Sequence, residues 1–365
     1  MTITVEKSKS VWDGKNVLNL DRPVFLDAWD PVFRVYNLMH GSLSRLPDEL
    51  TRPIDPALAF LGGMPAGGRI RLRTDSPYLG LCVEFGQVEG SDLVAYHSFD
   101  LYREENKKQS FIGTIWHFEK TDDHMEMAHF PLDGEMHDYV LYLPLMSEVK
   151  RLNLILKEGT ALETPASYKK EDPVVVYGSS IVHGVGTARP GLAYPAILSR
   201  MLGRDVVNMG FSGHAKAEKE VVEYIARMQM SVFLFDYDHN APSQDYLRAT
   251  HFESYKRFRA LHPEVPIIFA SKVDYLYGDL KANEERRQII LESLWRAKEE
   301  CKDKHVYFVD GALIYPANVR GNCTQDGCHP NCMGYHYMAK AFAPVIRRAL
   351  AEANMAGRKK VENEK

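Results

Sequence analysis

Two short runs in this chain hold the residue types of an acyl-transfer site: Tyr177-Gly178-Ser179-Ser180-Ile181 and, far downstream, Asp326-Gly327-Cys328-His329-Pro330. A serine hydroxyl is a weak nucleophile at neutral pH until a base removes its proton. A histidine does this well when a carboxylate holds its other ring nitrogen. Asp326 and His329 are three apart, so one turn of helix-like backbone brings their side chains to the same side. Ser180 is then a candidate nucleophile, His329 its base, and Asp326 the group that orients the base.

The segments around these runs must place them together. After residue 172, strand-like and helix-like stretches alternate. Val174-Val175-Val176-Tyr177 precedes a helix near Ala193 to Leu202, stopped by Gly203, and Val206-Val207-Asn208 precedes one near Ala215 to Met228. Val232-Phe233-Leu234-Phe235 leads to Gln244 to Leu261, Ile267-Ile268-Phe269 to Ala282 to Cys301, and Val306-Tyr307-Phe308-Val309 to a last helix near Gly334 to Ala353. Strands each followed by a helix predict a parallel five-stranded sheet covered on both faces, with the ligand site at the carboxyl ends of the strands. Ser180, Gly210 and Asn240 follow the first, second and third strands, and His329 precedes the last helix, so all four fall on that edge.

From about Arg69 to Leu156 the pattern differs. Short β-type runs such as Tyr78–Phe85, Ser110–Trp116 and Tyr139–Leu143 are separated by turns and predict an all-β sandwich. The polar stretch Gly159 to Asp172, with Pro165 inside and Pro173 behind it, reads as a linker. The expected organisation is an N-terminal region over 1–165 that includes the sandwich, an α/β domain over 172–355 and a polar tail over 356–365.

Composition excludes several classes. An apolar fraction of 45% and a charged fraction of 26% suit a globular protein, and a net charge of −4 without a dense Lys/Arg block gives no footprint for nucleic acid. No apolar run is long enough to span a bilayer, and Met1 to Lys7 lacks the apolar core of a signal peptide, so a cytoplasmic protein without membrane contact is expected. Five cysteines are an odd number, which argues against a secreted disulfide framework. Cys323, Cys328 and Cys332 beside His329 invite a zinc reading. The spacing lacks the usual two-residue knuckle, and His329 cannot both bind zinc and act as a base. Loop packing or a local disulfide are the alternatives, and no metal is expected.

The blocks resemble the SGNH (GDSL-like) hydrolases. Gly178-Ser179-Ser180 is similar to the first block, Asn208-Met209-Gly210-Phe211-Ser212-Gly213 to the glycine block, and Asp326-Gly327-Cys328-His329 to the Asp-x-x-His block. The usual Gly-x-Asn-Asp block is replaced by Asp236-Tyr237-Asp238-His239-Asn240, which resembles the Asp-x-x-x-Asn form of a two-domain subgroup with an N-terminal β-sandwich. That subgroup also carries Gly-x-Asp-Leu-Tyr, and Ser98-Phe99-Asp100-Leu101-Tyr102 departs from it only at the glycine.

The resemblance implies a three-layer flavodoxin-like α/β domain behind a jelly-roll-like sandwich. It implies Ser180 as nucleophile, His329 as base and then acid, Asp326 as its orienter, and no cofactor. The oxyanion hole would combine the backbone N–H groups of Ser180 and Gly210 with the Asn240 amide. It further implies a carbohydrate O-acetylesterase whose partner is an acetylated mannan or xylan oligosaccharide; the sequence leaves self-association open.

Other readings stand beside these. A lysophospholipase or thioesterase for longer acyl chains would keep the same triad, and a silent hydrolase fold could serve only to bind carbohydrate. Ser180 could simply cap a helix, Gly210 permit a tight turn, and Asn240 cap the helix beyond Pro242. Candidate substrate contacts are His239 beside the third block, as His183 is beside the first, and Arg189 in Arg189-Pro190-Gly191 as pocket wall. Of Trp12, Trp29, Trp116 and Trp295, Trp116 next to His117 is the stacking candidate.

Overall fold

The computed structural model describes residues 2–4, 19–88, 94–116, 118, 122–168, 172–274 and 276–363. Their contacts divide into two compact units. The first holds the described residues of Met1–Glu49, Ala59–Lys169 and Ala188–Gly191; the second holds those of Leu50–Leu58, Lys170–Thr187 and Leu192–Lys365.

The first unit is built from two antiparallel sheets, one of seven strands and one of four. Their inner faces share a core in which alternate residues of each strand point inward, as in Ile70 and Leu72, Leu79, Leu81 and Val83, or Leu152, Leu154 and Leu156. The three β runs expected from the sequence lie in or overlap the strands Tyr78–Val88, Lys108–Ile115 and His137–Tyr142. A four-residue helix, Val94–His97, interrupts the β pattern. The expected linker contains the strand Ala161–Glu163, paired with Thr2–Thr4 and Arg69–Thr74, because the one large apolar residue there, Leu162, is drawn into the core.

The Asp-Leu-Tyr part of the β-unit signature has a structural explanation. Asp100 on the strand Phe99–Glu105 is fully buried, and its carboxylate accepts from Thr114 Oγ1 (2.6 Å), the Gly191 N–H (3.0 Å) and Arg189 Nη1 (3.2 Å). Arg189 also reaches Tyr102 Oη (3.4 Å) and stacks over Phe111, 3.7 Å from the ring centroid. A buried carboxylate needs several donors, and the segment 188–191 supplies two of those named here.

The second unit is a parallel five-stranded sheet whose spatial order is Val206–Gly210, Val174–Gly178, Val232–Asp236, Ile267–Ala270, Val306–Val309. In chain order this is 2-1-3-4-5, the flavodoxin-like winding, with its switch point at the end of Val174–Gly178. On one face Tyr194, Ile197, Leu198, Tyr335, Met338, Phe342 and Ile346 pack on Val174, Val176, Leu234 and Ile268. On the other, Phe233 stacks on Phe258 of the helix Gln244–Leu261, and Phe235 on His251. The first large helix is Tyr194–Leu202, and Gln244–Leu261 and Leu280–Glu299 also lie close to expectation. Lys219–Ala226 is shorter than expected: the chain over 211–218 is irregular, with Ala217 at φ 57. The last helix runs Cys332–Asn363, continuing into the stretch read as a polar tail, where helix-forming residues prevail and no proline stops it. Among the described residues no helix is long and apolar enough to cross a membrane.

Candidate active site

The strand Val174–Gly178 delivers the chain to a sharp strand-to-helix turn. Ser179 is the N-cap of the short helix Ser180–His183, and its Oγ accepts the Ile181 N–H (3.2 Å). The capping role considered for Ser180 therefore falls on its neighbour. Ser180 keeps its hydroxyl for another partner, His329 Nε2, at 3.0 Å. Two glycines allow this turn to pack. A Cβ at Gly178 would stand 2.0 Å from the Asp236 carbonyl oxygen, and one at Gly210 would stand 2.1 Å from the His183 nitrogen, so each strand end meets a neighbouring backbone that leaves no room for a side chain.

The loop carrying His329 is held differently. Residues 326–329 form a turn through Gly327 at φ 85 rather than the helix-like backbone expected from the spacing. Asp326 closes it with its own side chain: Oδ1 accepts the N–H groups of Cys328 (2.9 Å) and His329 (2.7 Å), while Oδ2 receives His329 Nδ1 (2.7 Å). This pairing places the ring proton on Nδ1 and turns the Nε2 lone pair toward Ser180. Partial burial pushes the Asp326 carboxyl up, but the His329 ring and the two backbone N–H groups outweigh it and hold the group below the usual carboxylate range. Around the turn, the Gln325 N–H donates to the His329 carbonyl (3.0 Å) and Asn331 Nδ2 to the Asn322 carbonyl (2.7 Å).

A tetrahedral oxyanion next to Ser180 needs fixed donors. The Ser180 N–H stands in the first turn of its helix, where no intrahelical acceptor exists. The Gly210 N–H instead donates to Asn208 Oδ1 (2.9 Å), and Asn208 Nδ2 anchors to the Val182 carbonyl (2.8 Å), so Gly210 serves close packing and its donor is engaged. Three residues on, Gly213 lies in the turn closed by His214 N–H to the Phe211 carbonyl (3.0 Å), at φ 73, and its N–H has no partner among the described residues. The signal that could have found it is the second glycine of the same block, at the one place where the turn requires positive φ. Asn240 ends the 3-10 turn Asp238–Asn240, and its Oδ1 accepts the Ala215 N–H (3.3 Å), which leaves the amide Nδ2 as a donor. The helix beyond Pro242 is capped by Ser243, not by Asn240.

Charged groups lie beneath this edge. His239 does not face outward as a substrate contact: its side chain is 6% exposed and its Nε2 is 2.7 Å from Asp274 Oδ1. Burial pushes the Asp274 carboxyl up, but His239 and Lys272 more than reverse this and hold it down at about 2. Burial also lifts Asp236, which accepts from Tyr194 Oη (2.9 Å), to about 7. Asp274 escaped sequence reading because it lies in no recognised block. The cysteines do not gather on His329. Cys323 Sγ faces the Val319 carbonyl (3.4 Å), Cys332 Sγ is 3.9 Å from Thr187 Oγ1, and Cys328 sits by Asp274, its thiol pushed up to about 12 chiefly by burial; all five cysteines are free. His183 is fully buried. Arg189 and Trp116 both belong to the first unit, where Trp116 is 48% exposed, and Trp295, on the helix Leu280–Glu299, is 58% exposed. Trp12 and His117 lie outside the described residues.

Comparison with known proteins bears out the fold. A model described as the GDSL-like Lipase/Acylhydrolase family matches residues 171–347, and one described as the N-terminus of SGNH-hydrolase-type esterases matches residues 34–162. No match was found among curated proteins. Among solved structures, one from Bacteroides ovatus described as a GDSL-like lipase is 26% identical with a TM-score of 0.81, covering 90% of this chain and 98% of that one. The salicylyl-acyltransferase of a tetracycline biosynthetic pathway is 19% identical with a TM-score of 0.73, over 93% and 99% of the two chains. An acetyl xylan esterase of the rumen bacterium Butyrivibrio proteoclasticus is 13% identical with a TM-score of 0.59, over 90% and 99%. These last two share the fold. The chain joins a domain of the GDSL-like lipase/acylhydrolase family, over residues 171–347, to the N-terminal domain of SGNH-hydrolase-type esterases, over residues 34–162.

Proposed function

We propose that this protein is a serine esterase that removes O-acetyl groups from carbohydrate, with Ser180 as nucleophile, His329 as base and Asp326 as its orienting carboxylate. The observation that carries the reading is the relay itself: Ser180 Oγ to His329 Nε2 at 3.0 Å and His329 Nδ1 to Asp326 Oδ2 at 2.7 Å. In the first step Ser180 Oγ attacks the acetyl carbonyl while its proton passes to His329 Nε2, and Asp326 stabilises the imidazolium. The Ser180 N–H and Asn240 Nδ2 hold the oxyanion, with Gly213 taking the place first assigned to Gly210. His329 then protonates the departing sugar hydroxyl. Water, deprotonated by His329, attacks the acetyl-enzyme to release acetate and restore Ser180.

The preference for acetylated mannan or xylan fragments draws on the similarity in fold to an acetyl xylan esterase. The test is acetate release by the wild type and Ser180→Ala from peracetylated monosaccharides and acetylated mannan and xylan oligosaccharides, beside an octanoate ester. Rapid release from the sugars that falls about 10⁴-fold or more in Ser180→Ala is the expected result. Silence on sugars with cleavage of the octanoate would transfer the protein to the lysophospholipase or thioesterase class. Sugar binding without any hydrolysis would make it a carbohydrate-binding protein.

A further inference from the structure

One group of side chains outside the proposed triad has the makings of a ligand sphere. His239, Asp274 and Cys328 come from three separate segments: the 3-10 turn after the third strand, the loop after the fourth, and the loop that carries His329. One donor atom of each lies within 4.8 Å of the other two. The His239 and Asp274 side chains are both 6% exposed, so these two donors are shielded from water, and Cys328 is half-buried.

The donor set selects the ligand. An imidazole nitrogen, a carboxylate oxygen and a thiol sulfur suit borderline-soft cations such as zinc or cobalt(II), whereas magnesium and calcium prefer all-oxygen sites. Bonds of about 2.0–2.3 Å around a tetrahedral ion bring donor pairs to roughly 3.3–3.8 Å, so the His239–Asp274 pair, 2.7 Å apart, opens to admit the ion while Cys328, within 4.8 Å of both, closes on it. Lys272 Nζ lies 3.5 Å from Asp274 Oδ2 but also 3.1 Å from Asn283 Oδ1, and it keeps that second partner when the carboxylate turns to a cation. We propose that His239, Asp274 and Cys328 form a binding site for one zinc-class divalent cation. Binding converts the Cys328 thiol to a thiolate, releases its proton, and leaves a fourth position for water.

The site has a clear point of leverage. His239 precedes Asn240, and Cys328 precedes His329 and donates its N–H to Asp326 Oδ1. A bound cation therefore ties the Asn240 turn to the His329 loop. It differs from the zinc reading of Cys323, Cys328, Cys332 and His329, because it leaves His329 free.

The test is anaerobic titration of the reduced full-length protein with cobalt(II). One equivalent should bind and produce thiolate-to-cobalt charge-transfer absorption. Cys328→Ser should abolish that absorption, Cys323→Ser and Cys332→Ser should retain it, and His239→Asn should weaken binding at least about tenfold. A second readout uses the unaltered protein: zinc should shield Cys328 from alkylation by iodoacetamide while exposed Cys301 still reacts, and should raise the thermal midpoint. Absence of charge transfer in the wild type, its persistence in Cys328→Ser, or undiminished alkylation of Cys328 would overturn the proposal. Ser180→Ala should bind cobalt as the wild type does, so this test stands or falls apart from the hydrolytic reading.

Discussion

The two sides of the Ser180–His329 contact are built by opposite means. On the serine side, backbone meets backbone: Gly178 and Gly210 admit neighbours to within distances no Cβ could survive, and the surrounding strand ends are fully buried. On the histidine side the turn itself is open: a Cβ at Gly327 would meet only Tyr277, at 3.6 Å. The His329 side chain is 26% exposed and that of Asp326 46%, and the turn keeps its shape through hydrogen bonds that Asp326 makes to its own loop. Ser180, the proposed nucleophile, is thus placed by the closure of the sheet, and His329, the proposed base, chiefly by hydrogen bonds within its own turn. Damage to the first side should appear as lost stability, and damage to the second as lost turnover.

The largest expected effect tests the second half of that contrast. In Asp326→Asn the side-chain oxygen can still accept the Cys328 and His329 N–H groups, so the turn survives. The amide nitrogen cannot accept from His329 Nδ1, and the ring loses its orientation and tautomer. Turnover should fall about 10⁴-fold. Chemical denaturation should show stability within roughly 0.5 kcal/mol of the wild type, as for a partly exposed surface position. Unfolding of the variant would show that the loop is as deeply integrated as the serine turn. Gly210→Ala tests the other side. Its Cβ would lie 2.1 Å from the His183 nitrogen and 2.5 Å from the Val182 carbonyl carbon, and neither backbone atom can move without dragging the Ser180 turn. A loss on the order of 3 kcal/mol or more is expected in urea denaturation. A Gly210→Ala as stable as the wild type would show that this strand end is not held by close backbone packing.

The same contrast explains what could be read from the residues. The parallel strands are buried on both sides and therefore spelled as unbroken apolar runs, so Val174–Gly178 and Val232–Asp236 were recognisable within a residue or so. Ser180, Asn240 and His329 followed, because the carboxyl edge of such a sheet is fixed once the strands are. Details resting on hydrogen bonds between distant residues were not legible. Nothing in Asn208-Met209-Gly210 says that Asn208 will take the Gly210 N–H, and nothing in Lys272-Val273-Asp274 says that Asp274 will hold His239. Spacing alone likewise suggested a helical turn for Asp326 to His329, where Gly327 turns the chain through positive φ instead.

Gly327→Ala carries the smallest effect and sharpens the comparison most. Its φ of 85 lies where an L side chain is strained, yet a Cβ there would meet only Tyr277, at an ordinary 3.6 Å. The cost is therefore conformational and not steric, about 1–2 kcal/mol, well below that of Gly210→Ala. Part of the strain can be relieved by opening the Asp326 turn, which separates His329 from Ser180. The variant should unfold at only slightly lower urea while its kcat falls by more than its KM changes. A stability loss as large as that of Gly210→Ala would mean that packing, and not the Asp326 carboxylate, holds the histidine in place.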